Sequence, residues 1–210
     1  MMTESSFERP IVNIEGGHVA LGPLRRDLVP TYHRWFNDFR TMRTTGALPR
    51  PQTLESLTLQ YDGLATPEHD PHGVSFTIYR RDDWAPIGTL RLQDVDYRHR
   101  TAEFIIFIGE PSERGKGYGT EATRLALDCD FTALGLHNVM LKVYEFNLAG
   151  QRVYRKVGFR EYGRRHQCHF MGGKYWDVIY MECLASEFES PVLRHVFTPD
   201  VPRGEGSGEA

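Results

Sequence analysis

Cysteine is scarce in this chain. Three thiols, Cys129, Cys168 and Cys183, are spread over 210 residues. An odd, widely spaced set gives neither a disulfide framework nor a paired CxxC metal motif, so free thiols in a reducing cytoplasm are the expectation. Long apolar runs are also missing: none approaches the ~20 residues of a membrane-spanning helix. The polar, acidic start, Met1-Met2-Thr3-Glu4-Ser5-Ser6, lacks the basic and then apolar pattern of a secretory signal. No charge of one sign dominates. Lys and Arg total 25 against 28 Asp and Glu, for a net charge of -3. They are scattered, so neither nucleic acid nor a membrane surface is an expected partner. There is no internal repeat. What the chain does have is 40% hydrophobic and 12% aromatic residues. That is enough for one domain with a sizeable core.

The organisation follows from turn residues and hydrophobic period. Residues 1–17 read as an N-terminal extension and 18–185 as the domain. Residues 186–210 read as a tail, at least partly disordered, because Pro191, Pro199, Pro202 and the glycine-rich end offer no apolar anchor. Within the domain, 18–24 is an early strand. Asp27 is placed to cap a helix with Pro30 in its first turn and Tyr32, Trp35 and Phe36 on its apolar side. A second helix opens at Thr53 and reaches about Leu64. The proline- and glycine-containing stretch 66–73 is a loop, and the whole stretch 49–71 is expected to shape a pocket. Residues 74–80, 87–95 and 101–108 are strands, with Arg81-Asp82-Asp83 turning the first pair. Tyr118, Ala122, Leu125, Ala126 and Cys129 form one helical stripe within a helix that reaches Leu134. Val139, Leu141 and Val143 alternate as a strand. Residues 148–157 form a helix stopped by Gly158. Residues 159–170 and 175–184 form a hairpin across Gly172-Gly173. Strands before, between and after helices predict a mixed α/β fold around one sheet.

The chemistry concentrates at Arg114-Gly115-Lys116-Gly117-Tyr118-Gly119, between a buried strand and a helix. Glycines at alternate positions let backbone N–H groups curl around a phosphate at a helix N-terminus. Three owners compete for such a loop. A P-loop requires Ser or Thr after its lysine to hold magnesium, and here Gly117 follows Lys116. A dinucleotide fingerprint fits Gly117-Tyr118-Gly119-Thr120-Glu121-Ala122, with Glu145 where a ribose-binding acid would lie. That fold turns directly off its first strand, however, and here residues 109–116 and several earlier elements intervene. A nicotinamide-dependent oxidoreductase is the reading this pattern would support.

The third owner comes from a resemblance. The loop matches the [QR]-x-x-G-x-[GA] pattern of the GNAT family of acyl-coenzyme A N-acyltransferases. The segment Asn147-Leu148-Ala149-Gly150 through Tyr154 to Gly158-Phe159 is similar to that family's N-x-x-[AG]-x-x-x-Y-x-x-x-G-F. The likeness spans about the whole domain. Within the family the chain resembles ribosomal-protein N-terminal acetyltransferases (RimJ and RimL type) and bacterial spermidine N-acetyltransferases. The resemblance implies a GNAT-like, mainly antiparallel, twisted sheet of about six or seven strands flanked by about four helices. It implies acetyl-CoA as co-substrate, no metal, direct attack by a primary amine, and a homodimer as one available assembly.

Site residues follow from the same match. Arg114, Gly115, Lys116, Gly117, Tyr118, Gly119 and Thr120 would hold the pyrophosphate. Phe107, Ile108 and Gly109 would pair with the pantetheine arm and supply an oxyanion donor, and Asn147 would bond the arm, cap its helix, or both. Tyr154 would protonate the departing thiolate. Glu103 is the candidate base, with Asp94 and Asp96 as substitutes. Trp35, Asp38 and Tyr175 are the candidate acceptor contacts. The acceptor is expected to be a protein N-terminus or a small amine. A polyamine is the alternative, although Arg40 and Arg43 stand where polyamine enzymes carry acids. A non-catalytic acyl-CoA sensor is a further alternative. His166-Gln167-Cys168-His169 reads as ordinary strand residues rather than a metal cluster, and Cys129 as core.

Overall fold

The structure, a computed structural model, describes residues 8–46, 49–64 and 69–198. Eight strands form one sheet in the order β1-β2-β3-β4-β5-β6-β8-β7. In chain order they are β1 (Ile14–Glu15), β2 (Val19–Pro23), β3 (Val74–Arg80), β4 (Pro86–Asp96), β5 (Thr101–Ile108), β6 (Asn138–Tyr144), β7 (Arg160–Met171) and β8 (Lys174–Leu184). The helices are α1 (Val29–Phe36), α2 (Phe39–Met42), α3 (Leu54–Leu64), α4 (Tyr118–Asp128), α5 (Leu148–Val157) and α6 (Leu193–Val196). The sheet is somewhat wider than the sequence pattern implied, because the short β1 adds an edge. Class and architecture match the expectation.

Every pairing is antiparallel except β5 with β6. That parallel pair is short. It joins Thr101–Asn138, Ala102–Val139 and Glu103–Met140, and then stops. Beyond it, β5 continues against β4 to Ile108 and β6 continues against β8 to Tyr144. The two central strands therefore part, and their facing edges carry no ladder between them. An unpaired edge is a row of donors and acceptors awaiting an extended partner.

Two layers cover the sheet. On one face α4 and α5 bury Leu125, Ala126, Leu127, Tyr154 and Val157 against Leu92, Phe104, Leu141 and Phe159. On the other, α1 and α3 pack Val29, Tyr32, Trp35 and Leu57 against Phe107. Strand periodicity sorts β5 between them: Phe107 belongs to the second cluster, while Ile106 and Ile108 pack on the first.

Some local expectations changed. Asp27 does not cap α1; it pairs with Arg25, and α1 begins after a 3-10 turn at Arg26–Leu28. Thr53 does cap α3, accepting the Ser56 N–H at 3.1 Å. The helix after the glycine loop ends at Asp128 and continues as a π-turn over Cys129–Ala133. At its other end Glu121 accepts the N–H groups of Gly17 and His18, tying α4 to the β1–β2 turn. Ile14 and Leu193, outside 18–185, both join the main core. Leu193 docks there because Asp128 accepts its N–H and that of Val192, at 2.8 and 2.9 Å. Residues 199–210 lie outside the described residues.

Candidate active site

The glycine loop closes the C-terminal end of β5. Gly115 and Gly117 have φ of 76° and 92°, the left-handed region where a side chain is strained. A Cβ at either would touch nothing within 4 Å, so backbone conformation and not crowding demands glycine there. Gly119 differs: its φ is ordinary and a Cβ would sit 3.7 Å from Ile108. Gly117 also ends the chain's approach to α4, accepting from the Thr120 and Glu121 N–H groups. The N–H groups of residues 115–119 find no acceptor among the described residues. They form a donor nest at the positive end of α4.

Two ties hold the loop from behind. Arg114 turns its guanidinium back onto the Ile108 carbonyl, at 2.8 Å. Glu113, nearly buried, receives Arg80 at 2.8 Å and Lys116 at 3.2 Å. Lys116 is therefore drawn toward Glu113, whereas Arg114 stays at the mouth.

The loop lines a cleft of about 560 Å³ that runs into the gap between β5 and β6. Phe107, Ile108, Arg114, Gly115, Gly117, Gly119, Thr120, Asn147 and Tyr154 all line it. The sequence had named each of them. It had set Arg40 and Arg43 beside the acceptor and had not named Arg152 or Lys156. Arg40 from α2 and Arg43 just after it, and Arg152 and Lys156 from α5, line the same cleft. None of these four, nor Arg114, has a carboxylate partner among the described residues. Burial lowers the Arg114 pKa, and the nearby charge of Arg43 lowers it further against the pull of Asp38. Five cations without an ion-pair partner among the described residues, set around a donor nest, fit a ligand with several phosphates. The helical spacings Arg40/Arg43 and Arg152/Lys156 were the available signal.

Asn147 caps α5, its side chain accepting the Gly150 N–H at 3.0 Å. Tyr154 packs edge-on to Phe159, and burial pushes its pKa up to about 12. The phenol is therefore protonated throughout the physiological range. On β5, the Gly109 N–H bonds the Ile87 carbonyl of β4 at 2.9 Å. Alternation then turns the N–H of Ile108 toward the open edge. Of the three residues proposed to meet an acyl arm, Ile108 is the one with a donor facing the gap. Gly109 is committed to β4, and its Cα lies under Trp35.

A second chamber, about 320 Å³, lies on the other side of Phe107. Tyr32, Phe36, Leu57, Tyr61, Ile105 and Phe107 supply its main apolar walls. Phe36 stacks on Phe107 with centroids 5.2 Å apart. Phe107 and adjacent α2 residues are shared boundaries, with Met42 facing the chamber and Thr41 and Arg43 the cleft. Five of its lining residues, Gln52, Leu57, Gln60, Tyr61 and Leu64, come from the 49–71 stretch.

Other sequence candidates lie elsewhere. Glu103 sits where β5 and β6 are still paired and bonds Lys142 at 2.8 Å; it lines neither cavity. Asp96 holds His99 at 2.8 Å and Asp94 is solvent-exposed. Asp38 caps α2, accepting Thr41 Oγ1 at 2.6 Å, a bond that keeps its pKa low. Trp35 is 2% exposed and donates to Glu110 at 2.8 Å, supporting Phe107 from behind rather than lining the chamber. Tyr175 stands exposed at the β7–β8 tip beside Phe170. His166 bonds Asp177, and His169 stacks on Tyr144. Burial pushes the Cys129 thiol up to about 12.

Comparison with known proteins agrees with this geometry. The model of the GNAT acetyltransferase domain matches residues 18–160. The chain is 33% identical over 163 residues to spermidine N(1)-acetyltransferase of Escherichia coli K12, covering 78% of this chain and 84% of that protein. It is 29% identical over 158 residues to human alpha/beta-tubulin-N-acetyltransferase 9, covering 70% and 74%. The crystal structure of Vibrio cholerae spermidine N-acetyltransferase in complex with CoA and spermine superposes with a TM-score of 0.74 at 30% identity. That match covers 81% of this chain and 97% of the other.

Proposed function

The chain belongs to the GNAT acetyltransferase family and is an acyl-CoA-dependent N-acetyltransferase, and on that premise we propose that its acceptor is the primary amine of a small molecule. The observation that carries this reading is the pairing of a cation-lined cleft with an aromatic chamber across Phe107. Of the acceptors the sequence left open, the relatives' names favour a polyamine over a ribosomal-protein N-terminus. Spermidine therefore heads any acceptor panel.

Acetyl-CoA supplies a thioester, an acyl group already activated toward amines. The residues of this chain then have distinct tasks. The N–H groups of residues 115–119 and the five cations of the cleft bind phosphate. Ile108 offers its N–H at the open strand edge, where negative charge on an acyl oxygen is stabilised by a fixed donor. Tyr154 holds the proton that the leaving thiolate needs. Its raised pKa keeps that proton in place until transfer. Thr41, Met42 and Phe107 align the amine's approach. Glu103, engaged with Lys142 outside both cavities, has no direct path to the amine. The apolar chamber disfavours an ammonium ion and lowers its pKa, so the amine leaves one proton to water on entry, and the proton that nitrogen sheds after attack returns Tyr154 to its neutral form.

Thiol release from acetyl-CoA over an amine panel tests the proposal. Amine-dependent release is the expected result. A melting temperature raised by NADH and not by CoA, with no thiol release, would refute it in favour of an oxidoreductase. Tight CoA binding without release for any amine would favour a sensor.

A further inference from the structure

We propose that the aromatic chamber selects amines with an apolar body and a single charge, alkyl or aryl monoamines, and that Gln52 is the residue that receives an acceptor N–H. This rests on the transfer reaction proposed above and departs from the polyamine that the relatives' names favour.

The walls set the class. Among the described lining residues there is no Asp or Glu. The charged residue that does line the chamber is a cation, Arg91. It is already paired with Asp70 at 2.7 Å and bonded to Ser75 at 2.9 Å. A linear polyamine would bring further ammonium groups into this space, where no described lining residue is a carboxylate, and burying an unpaired charge is costly. An aryl or alkyl body instead covers the apolar faces of Phe36, Tyr61 and Leu57.

Among the described lining residues, Gln52 carries the one buried side-chain polar atom without a partner. The Tyr32 hydroxyl has Thr77 at 2.6 Å, and the Tyr61 hydroxyl has the Leu24 carbonyl at 3.3 Å. The Gln52 Oε1 is buried and has no partner. Its backbone is pinned on both sides. The Gln52 N–H donates to Asn37 Oδ1 at 2.9 Å, and its carbonyl accepts from Asn37 Nδ2 at 3.1 Å and His33 Nε2 at 2.7 Å. A buried acceptor left open on a rigid segment is expected to have a donor partner. An amide oxygen accepts an amine N–H without adding a charge, which suits a site that must present a neutral amine for attack. The substrate that fits has one N–H-bearing head and an apolar body.

Kinetics of the full chain with acetyl-CoA, by thiol release, test this with three probes: 2-phenylethylamine, hexylamine and spermidine. The monoamines are expected to have kcat/KM about tenfold above spermidine. Gln52→Leu should raise the monoamine KM about tenfold, the size of one lost buried hydrogen bond. The KM for acetyl-CoA and the melting temperature should stay unchanged. Gln52→Glu should move preference toward spermidine. If spermidine is preferred by the unaltered chain, or if Gln52→Leu leaves the amine KM unchanged, this inference falls and the transferase reading stands. If no amine releases thiol, both fall.

Discussion

Gly109 lies directly against the indole of Trp35: a Cβ built on it would come within 2.1 Å of Trp35 Cδ2. The contact joins the end of β5 to the buried side of α1. It also fixes the last residue before the chain turns toward the glycine loop. Because Gly109 has no positive φ, the requirement is one of space alone.

Gly109→Ala should therefore act as overpacking. A loss of about 1–3 kcal/mol is the expected scale, seen as a lower midpoint in denaturant. Pairing it with Trp35→Leu in a double-mutant cycle should give strongly non-additive losses, because the second change removes the ring that clashes. Additive losses would mean that the two residues do not meet as described.

Tyr154→Phe should lower kcat by about 10²- to 10³-fold with little change in the KM for acetyl-CoA. Ring packing on Phe159 survives, so the thermal midpoint should hold near neutral pH. The raised pKa also carries a sign. Stability from the buried neutral phenol is fully present below its ordinary pKa of about 10 and is lost as pH rises toward about 12. Alkaline unfolding of the Phe variant should accordingly begin at higher pH.

Removing the cleft cations should weaken cofactor binding in proportion to charge. Arg40→Gln with Arg43→Gln, and separately Arg152→Gln with Lys156→Gln, should each raise the KM for acetyl-CoA about tenfold or more. Both pairs should also flatten its dependence on ionic strength. A KM unmoved in both double variants would place the phosphates elsewhere.

Asp130 offers a stability test away from the site. Its carboxyl is fully buried in the π-turn after α4, with neither oxygen hydrogen-bonded, and burial holds its pKa well above the usual carboxylate range. A group with a raised folded pKa contributes stability below its unfolded pKa of about 4 and loses it as pH rises. Asp130→Asn should raise the melting temperature at pH 7 and make no such gain near pH 3. Equal shifts at both values would show that ionisation at this position carries no weight.

Much of the architecture was readable because local rules and tertiary packing agree. β3, β5, α3 and α5 follow from period, caps and breakers, and Gly158, with φ of 116°, ends α5 as its position implied. The glycine loop and the Asn147-to-Phe159 segment carried the cofactor identity in the eight fixed positions of two short patterns. The acceptor side was less readable. Asp38 appeared available, yet α2 starts immediately after it and uses its carboxylate as a cap. Glu103 appeared well placed along β5, yet it stands in the short paired part of β5 and β6, held by Lys142.

By itself the sequence determined the order of the main elements, the glycine-rich loop before α4 and the family's local motifs, since each depends on neighbours within a turn or a strand. The tertiary structure alone decided that β5 and β6 part after three residue pairs. It also decided that cations from α2 and α5 meet around one loop, and that Phe107 divides a charged cleft from a chamber without described carboxylates. Those features arise from groups far apart in the chain brought together by packing on two faces of one sheet, and local periodicity carries no record of them.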